Sequence, residues 1–421
     1  MAKRGRTISL NIILLPATTA DVLRDPLVFL AGGGVVPATR FAPMFARVVP
    51  TLRRNRDILL IDQRGSGASN ALACDRRAMD SATTLPPDER YLRFIASCRD
   101  KLGAHADLRM YTTTLAMDDL DDVREWLGFP VLNLLGASYG TSAAQVYMRQ
   151  HPGHARVAVL HGVVPLDAPM PLDLARTAQQ TLEQVLRLCH DDDQCHRAFP
   201  QLDVDLAQIL KATGTPEARQ LRNILNDELT SIETIREIPF LIHRLAGGDS
   251  TVFEPQPPPP PPAGAAQVPP TAGGPPLGVR LAILCSEGLH RVDTTAIASQ
   301  TTGTFLGDFP VRFQLRWCKG WPAATLPQEF WKPVVADTPT LLLDGTLDAV
   351  TPPAYAEHVK AGFANGQLVL LPNRSHNDLD PCVWGMIEAF VISGSRSSLD
   401  TSCLARTPSI AFRIAPPQSN E

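Results

Sequence analysis

No apolar run in this chain of 421 residues reaches the roughly 18 residues that a helix needs to cross a bilayer, so no membrane span is expected. No basic tract is present, and the formal net charge is -4. Phosphate backbones are bound by clustered Lys and Arg, so nucleic acid is not an expected partner. No internal repeat recurs. What remains is ordinary for a globular protein, with 44% hydrophobic and 19% charged residues. The length suits one large domain with an insert, or two domains, and the core it can bury needs no help from a metal.

Cysteine is plentiful. Cys74, Cys98, Cys189, Cys195, Cys285, Cys318, Cys382 and Cys403 fall into four sequential couples. They are either scattered buried thiols, as in cytosolic enzymes, or disulfides of an oxidising compartment. The closeness of Cys189 and Cys195 favours disulfides, but eight cysteines allow on the order of a hundred connectivities and sequence alone fixes none. The segment CHDDDQCH around that couple has metal-binding residue types, yet zinc ligands usually stand closer together. Neither a metal nor a cofactor is expected. At the N-terminus Lys3, Arg4 and Arg6 precede the apolar stretch Ile8 to Leu15. That resembles a short signal peptide, but ISLNIILLPA also alternates as a strand does, and the strand is the preferred reading. Paired cysteines would make the protein periplasmic or extracellular, with its export signal already removed ahead of this chain.

Strand-like runs recur, each followed by a turn or a helical pattern: LVFLA (Leu27 to Ala31), DILLID (Asp57 to Asp62), VLNLL (Val131 to Leu135), RVAVLHG (Arg156 to Gly162), TLLLDG (Thr340 to Gly345) and QLVLLP (Gln367 to Pro372). They are rich in Leu, Val and Ile with little alternation, as strands buried on both faces are. Amphipathic segments such as Thr113 to Leu127 lie between them. Strands alternating with helices predict an α/β class protein with a mostly parallel sheet flanked by helices. The alternation stops between about Pro165 and Trp331, where the pattern is helical, as over Leu172 to Leu188. A proline-rich loop at 255–277, with six consecutive prolines from Pro257 to Pro262, lies there too. Such a run cannot join a packed helix. The expected organisation is a core in two parts, 1–164 and 331–421, interrupted by a mainly helical cap at 165–330.

The sharpest motif is Gly136-Ala137-Ser138-Tyr139-Gly140, a G-x-S-x-G sequence between the apolar run VLNLL and the helical stretch TSAAQVYMRQ. A strand ends, the chain turns sharply and a helix begins, so the serine hydroxyl is exposed in a strained conformation. Ser138 is therefore the expected nucleophile. A hydroxyl needs a base, and in this arrangement an acid and then a histidine follow the serine. Asp348 and His376 each lie just after a late strand, where α/β enzymes place ligand-binding groups. Asp344 competes as the acid, but it sits within the strand end rather than on the loop beyond. Asp378 and Asp380 follow His376 too closely to orient it, and His151 and His154 read as surface positions. The oxyanion hole is expected from the N–H of Tyr139 and from the turn Gly32-Gly33-Gly34, with the donor either Gly33 or Gly34.

These motifs together resemble one family. DQRGSGAS (Asp62 to Ser69), YTTTLAMDDLDDVREWLG (Tyr111 to Gly128), LLGASYGT (Leu134 to Thr141) and LDAVTPP (Leu347 to Pro353) are similar to segments of proline iminopeptidases and their tripeptidyl-aminopeptidase relatives. The likeness runs from about Thr7 to Ala405 and is weakest in the insert. It implies an α/β-hydrolase fold with a helical cap. It also implies the pairings Cys74–Cys98, Cys189–Cys195, Cys285–Cys318 and Cys382–Cys403. Two departures stand out. The family's G-G-P-G turn is here Gly32-Gly33-Gly34-Val35, and its histidine is commonly followed by glycine where Asn377 stands. Family aminopeptidases hold the substrate's amine with cap carboxylates, and Glu287 is the candidate here, its alternative being an exposed surface glutamate. Asp62 and Arg64 are expected to form an ion pair or turn contacts near the site.

The expected activity is that of a serine hydrolase releasing N-terminal residues or short peptides, with a small peptide as substrate. One rival is an esterase or amidase for small non-peptide molecules. A second is a catalytically silent binding module, which the filled triad positions disfavour. Ser138 argues against epoxide hydrolases and dehalogenases, which use an Asp nucleophile in this fold.

Overall fold

The six apolar runs become strands of one sheet in the computed structural model, which describes residues 5–74, 86–211, 216–249, 251, 276–395, 399–406 and 409–415. The strands are β1 (Ile12–Leu15), β2 (Leu23–Leu30), β3 (Arg56–Ile61), β4 (Leu132–Ala137), β5 (Ala155–His161), β6 (Thr340–Gly345) and β7 (Gly366–Leu371). Their order is β1-β3-β2-β4-β5-β6-β7. β1 is the four-residue remnant of the expected N-terminal strand and runs antiparallel to β3, while the other pairings are parallel.

Both faces are covered, which explains the missing alternation. Helices Thr113–Trp126, Tyr139–Gln150 and Pro353–Lys360 bury one face through residues such as Leu120, Tyr147 and Val359. Helices Ala42–Val48 and Pro381–Ser393 cover the other through Phe45, Trp384 and Phe390. The chain steps from β2 to β3 on one side and then to β4 on the other, so the order reverses between β2 and β4. Open parallel sheets bind ligands beyond the strand C-termini at such a reversal.

Between β5 and β6 the chain is helical, from Leu174–Asp191 to Phe309–Trp317. This segment packs on loops at the C-terminal edge of the sheet. Leu347 and Ala349 after β6 join its core of Leu182, Leu225 and Ile235. Val35 after β2 packs with Val279 and Ala282 of helix Leu277–Ile283. The proline-rich loop lies outside the described residues up to 275. The cysteines pair as 74–98, 189–195, 285–318 and 382–403, the connectivity the family resemblance implies.

Candidate active site

Ser138 follows β4 and precedes helix Tyr139–Gln150, with φ 54° and ψ -123°. That is left-handed backbone for a residue with a side chain, a strain of about 1–3 kcal/mol. The packing enforces it. A Cβ on Gly140 would lie 1.8 Å from the Leu30 carbonyl oxygen, so only glycine lets the helix start this close to β2. On the neighbouring turn, a Cβ on Gly32 would lie 2.7 Å from the Ser138 Cβ. The turn therefore lies directly against the serine, and Gly33 and Gly34 continue it with φ 65° and 66°. Val35 takes φ 77° where the family motif ends in glycine. A Cβ on Gly34 would lie 2.9 Å from the Arg280 side chain of helix Leu277–Ile283.

His376 sits in the loop after β7, and its Nδ1 lies 2.8 Å from Asp348 Oδ2. Asp348 is buried, and its Oδ1 accepts the N–H groups of Val350 and Thr351 at 2.8 and 2.7 Å. Three features bring the histidine to the serine's edge of the sheet. The Ser138 N–H donates to the His161 carbonyl at the end of β5. The next residue, Gly162, would carry a Cβ 3.1 Å from the His376 ring. β4 and β5 are neighbours in the sheet. The bond to Asp348 uses Nδ1, so Nε2 is the nitrogen left for a reacting hydroxyl. Among the described residues His376 bonds to Asp348 and Thr351 and not to Ser138.

Asp344 does not reach the histidine. It is fully buried in β6, and one oxygen accepts the Val163 N–H at 3.3 Å. Burial, and then the charge of Asp348, push its carboxyl well above the usual range. Two further residues were not singled out in the sequence. The Thr351 hydroxyl donates to Asp348 Oδ2 at 2.8 Å and lies 3.0 Å from His376 Nδ1. Its position three residues after the acid is the signal that was available. His161 is buried beside the pair, and burial pushes its imidazole down to about 4, so it stays neutral.

Glu287 is not an exposed surface residue. It stands in a π-helical turn, Leu284–Gly288, and its two oxygens accept the N–H and hydroxyl of Thr113 at 2.6 and 2.7 Å. Thr113 opens helix Thr113–Trp126, and its hydroxyl lies 2.8 Å from the Tyr139 hydroxyl. Gln63 donates to the same Tyr139 oxygen at 3.1 Å. Glu287 is thus tied through Thr113 to the side chain of Tyr139, the residue after Ser138. Burial raises its carboxyl to about 7.

The expected Asp62–Arg64 ion pair does not form. Asp62 is buried and accepts from Asn11, Thr39 and Ala68, whereas Arg64 makes a two-pronged pair with Asp119 at 2.6 Å. Both remain turn-holding contacts. His151 and His154 are half-buried rather than on the surface, and they gather around Asp121 in a group able to hold a metal ion. The same carboxylate already takes Arg124 and Tyr147. The guanidinium opposes a second cation there, so the cluster is a hub joining helices Thr113–Trp126 and Tyr139–Gln150.

A serine on a strand-to-helix elbow at the order reversal of a parallel sheet makes this an α/β-hydrolase. Family models agree: one described as alpha/beta hydrolase fold matches residues 25–210, and one described as TAP-like protein matches residues 306–403. The chain has the α/β-hydrolase fold, and its C-terminal part is similar to the TAP-like model. Serine protease Hip1 of Mycobacterium tuberculosis (strain ATCC 25618 / H37Rv) is 23% identical over 447 residues, covering 95% of this chain and 84% of that protein. A proline iminopeptidase of Arabidopsis thaliana is 29% identical over 143 residues, 33% of this chain and 26% of its own length. Among solved structures, the α/β-hydrolase MGS-M2 from a Medee basin deep-sea metagenome library aligns over 93% of this chain and 95% of its own, at 14% identity and a TM-score of 0.43.

Proposed function

We propose that this protein is a serine hydrolase working through an acyl-enzyme, with Ser138 as nucleophile, His376 as general base and Asp348 as the acid that orients it. The observation that carries the reading is the strained Ser138 elbow at the same sheet edge as the His376–Asp348 pair. His376 Nε2 takes the hydroxyl proton as Ser138 Oγ attacks a carbonyl carbon. The oxyanion is held by the N–H of Tyr139 and by that of Gly33 or Gly34. His376 returns the proton to the leaving group, and water then releases the acyl group by the same route.

The preferred substrate is a short peptide with a free N-terminus. The likeness to a serine protease over most of the chain and the TAP-like match support a peptidase. Glu287, beside Tyr139, is the carboxylate available to a substrate amine. Segment 165–330 serves as the cap over the site. Four disulfides support a periplasmic or extracellular setting. An esterase or amidase is the second reading, and one observation favours it: both Glu287 oxygens already accept from Thr113.

The test is a panel of free and N-blocked aminoacyl-arylamides against arylesters. Ser138→Ala should lose turnover by about 10⁴-fold or more with its thermal midpoint kept, and full activity in that variant would sink the proposal. Glu287→Gln should lose the free-amine substrates selectively. An equal effect on blocked substrates and esters would favour the second reading.

A further inference from the structure

The loop that carries His376 is fastened to the helical cap on both sides of the histidine. Ser375 is fully buried, and its hydroxyl donates to the Leu229 carbonyl at 2.7 Å. The Asn377 N–H donates to the Thr230 carbonyl at 3.0 Å. The Asp378 carboxylate accepts the Ile232 N–H at 3.0 Å through the same oxygen that accepts the Ser375 N–H at 2.7 Å. The three cap partners form the turn between helices Pro216–Glu228 and Ile232–Ile235. On the core side the loop is held through Arg374, whose carbonyl accepts the Leu347 N–H and whose guanidinium pairs with Asp380.

Resting on the triad reading above, we propose that the cap turn 229–232 is a positioning element for His376, acting through Asp378 and Ser375. The residues on each side of the histidine are bonded to the cap, so the ring's reach toward Ser138 depends on where the cap sits. Docking of the cap then completes the catalytic site as well as enclosing it. Asp378 and Ser375 touch no substrate in this scheme.

The proposal separates two effects that a cap can have. A turn that only lines the pocket changes KM for bulky substrates. A turn that places the general base changes kcat for every substrate, small esters included. Ile232→Pro tests this from the cap side without altering the histidine loop. The substitution deletes the N–H that Asp378 accepts. Ile232 is the first residue of its helix, where proline is tolerated, and Ser231 before it has φ -149° and ψ 157°, the extended backbone proline requires of its neighbour. Ile232→Ala removes the same side chain but keeps the N–H.

The expected result is a loss of about 10- to 100-fold in kcat for Ile232→Pro and for Asp378→Ala, equal for an aryl acetate and a peptide arylamide, with KM within about twofold. Asp378→Asn, which keeps an acceptor oxygen, should recover part of the loss, and Ile232→Ala should stay closer to wild type than Ile232→Pro. Hydrogen exchange of the Asn377 amide, read by NMR, should quicken in Ile232→Pro and Asp378→Ala. A change confined to KM for the peptide, or wild-type kcat with a freed Asn377 amide, would overturn the proposal. Should wild-type protein fail to label at Ser138 with a fluorophosphonate, the serine hydrolase reading falls, and the exchange of Asn377 alone decides whether the cap holds the loop.

Discussion

Glu287 is pulled in two directions. Its carboxylate faces the first N–H of helix Thr113–Trp126, where the helix dipole favours negative charge. Burial disfavours that charge, and it wins, raising the group from the usual 4.5 to about 7. The sign for stability follows. Between those two values the folded protein holds a proton that the unfolded chain has already lost, so raising the pH through this window weakens the fold. Glu287→Gln cannot ionise, and its amide can still accept from the Thr113 N–H. Urea midpoints of the two proteins from pH 4 to 8 should diverge in favour of the variant between about 4.5 and 7 and then run parallel. Glu228 is also raised to about 7 by burial, but it is common to both proteins and cancels in the difference. Curves parallel throughout would show that Glu287 is solvated when folded.

At the scale of elements, the glycines divide by what surrounds them. Gly140 lies at the start of the helix after Ser138, and its missing side chain is the space taken by the Leu30 carbonyl of β2. Gly140→Ala should push that helix off the sheet, destabilise the protein by several kcal/mol and reduce turnover, since overpacking at backbone cannot relax by a rotamer change. Gly385 in helix Pro381–Ser393 has nothing within 4 Å of its would-be Cβ, so Gly385→Ala should stabilise by about 1 kcal/mol. Thermal melts of the two variants check the contrast. The same scale explains what could be read from sequence. The strands were visible because helices on both faces demand continuous Leu, Val and Ile. β2, however, starts at Leu23, before its apolar run, because Asp25 is buried against Arg56 and Arg156. Charges neutralised by partners far along the chain leave no hydropathy signal. The Ser138 elbow and the Asp348–His376 contact were legible because each stands just beyond a strand end that an apolar run marks. The hydroxyl of Thr351, the Arg64–Asp119 pair and the bond of Asp378 to Ile232 were not, because each depends on which loops the fold brings together.

At the scale of the whole molecule, the crosslinks hold regions that the sheet does not. Cys74–Cys98 fastens the segment after β3 to helix Pro87–Gly103, and Cys382–Cys403 fastens the C-terminal stretch to helix Pro381–Ser393. Cys189–Cys195 and Cys285–Cys318 lie wholly within the helical segment between β5 and β6. A crosslink acts mainly by restricting the unfolded chain, more so for longer loops. On that account the bonds spanning separations of 24, 33 and 21 residues contribute about 3–4 kcal/mol each, and the one spanning 6 residues about 2 kcal/mol. Replacing the cysteines would confuse this effect with cavity formation, because Cys189, Cys195 and Cys285 are buried. Reduction without substitution avoids that difficulty. Melting the protein with and without dithiothreitol, while titrating thiols to establish that all eight cysteines are free, should show a clear fall in the unfolding midpoint. An unchanged midpoint in fully reduced protein would mean that packing alone holds these segments, and would remove the physical argument for an oxidising compartment.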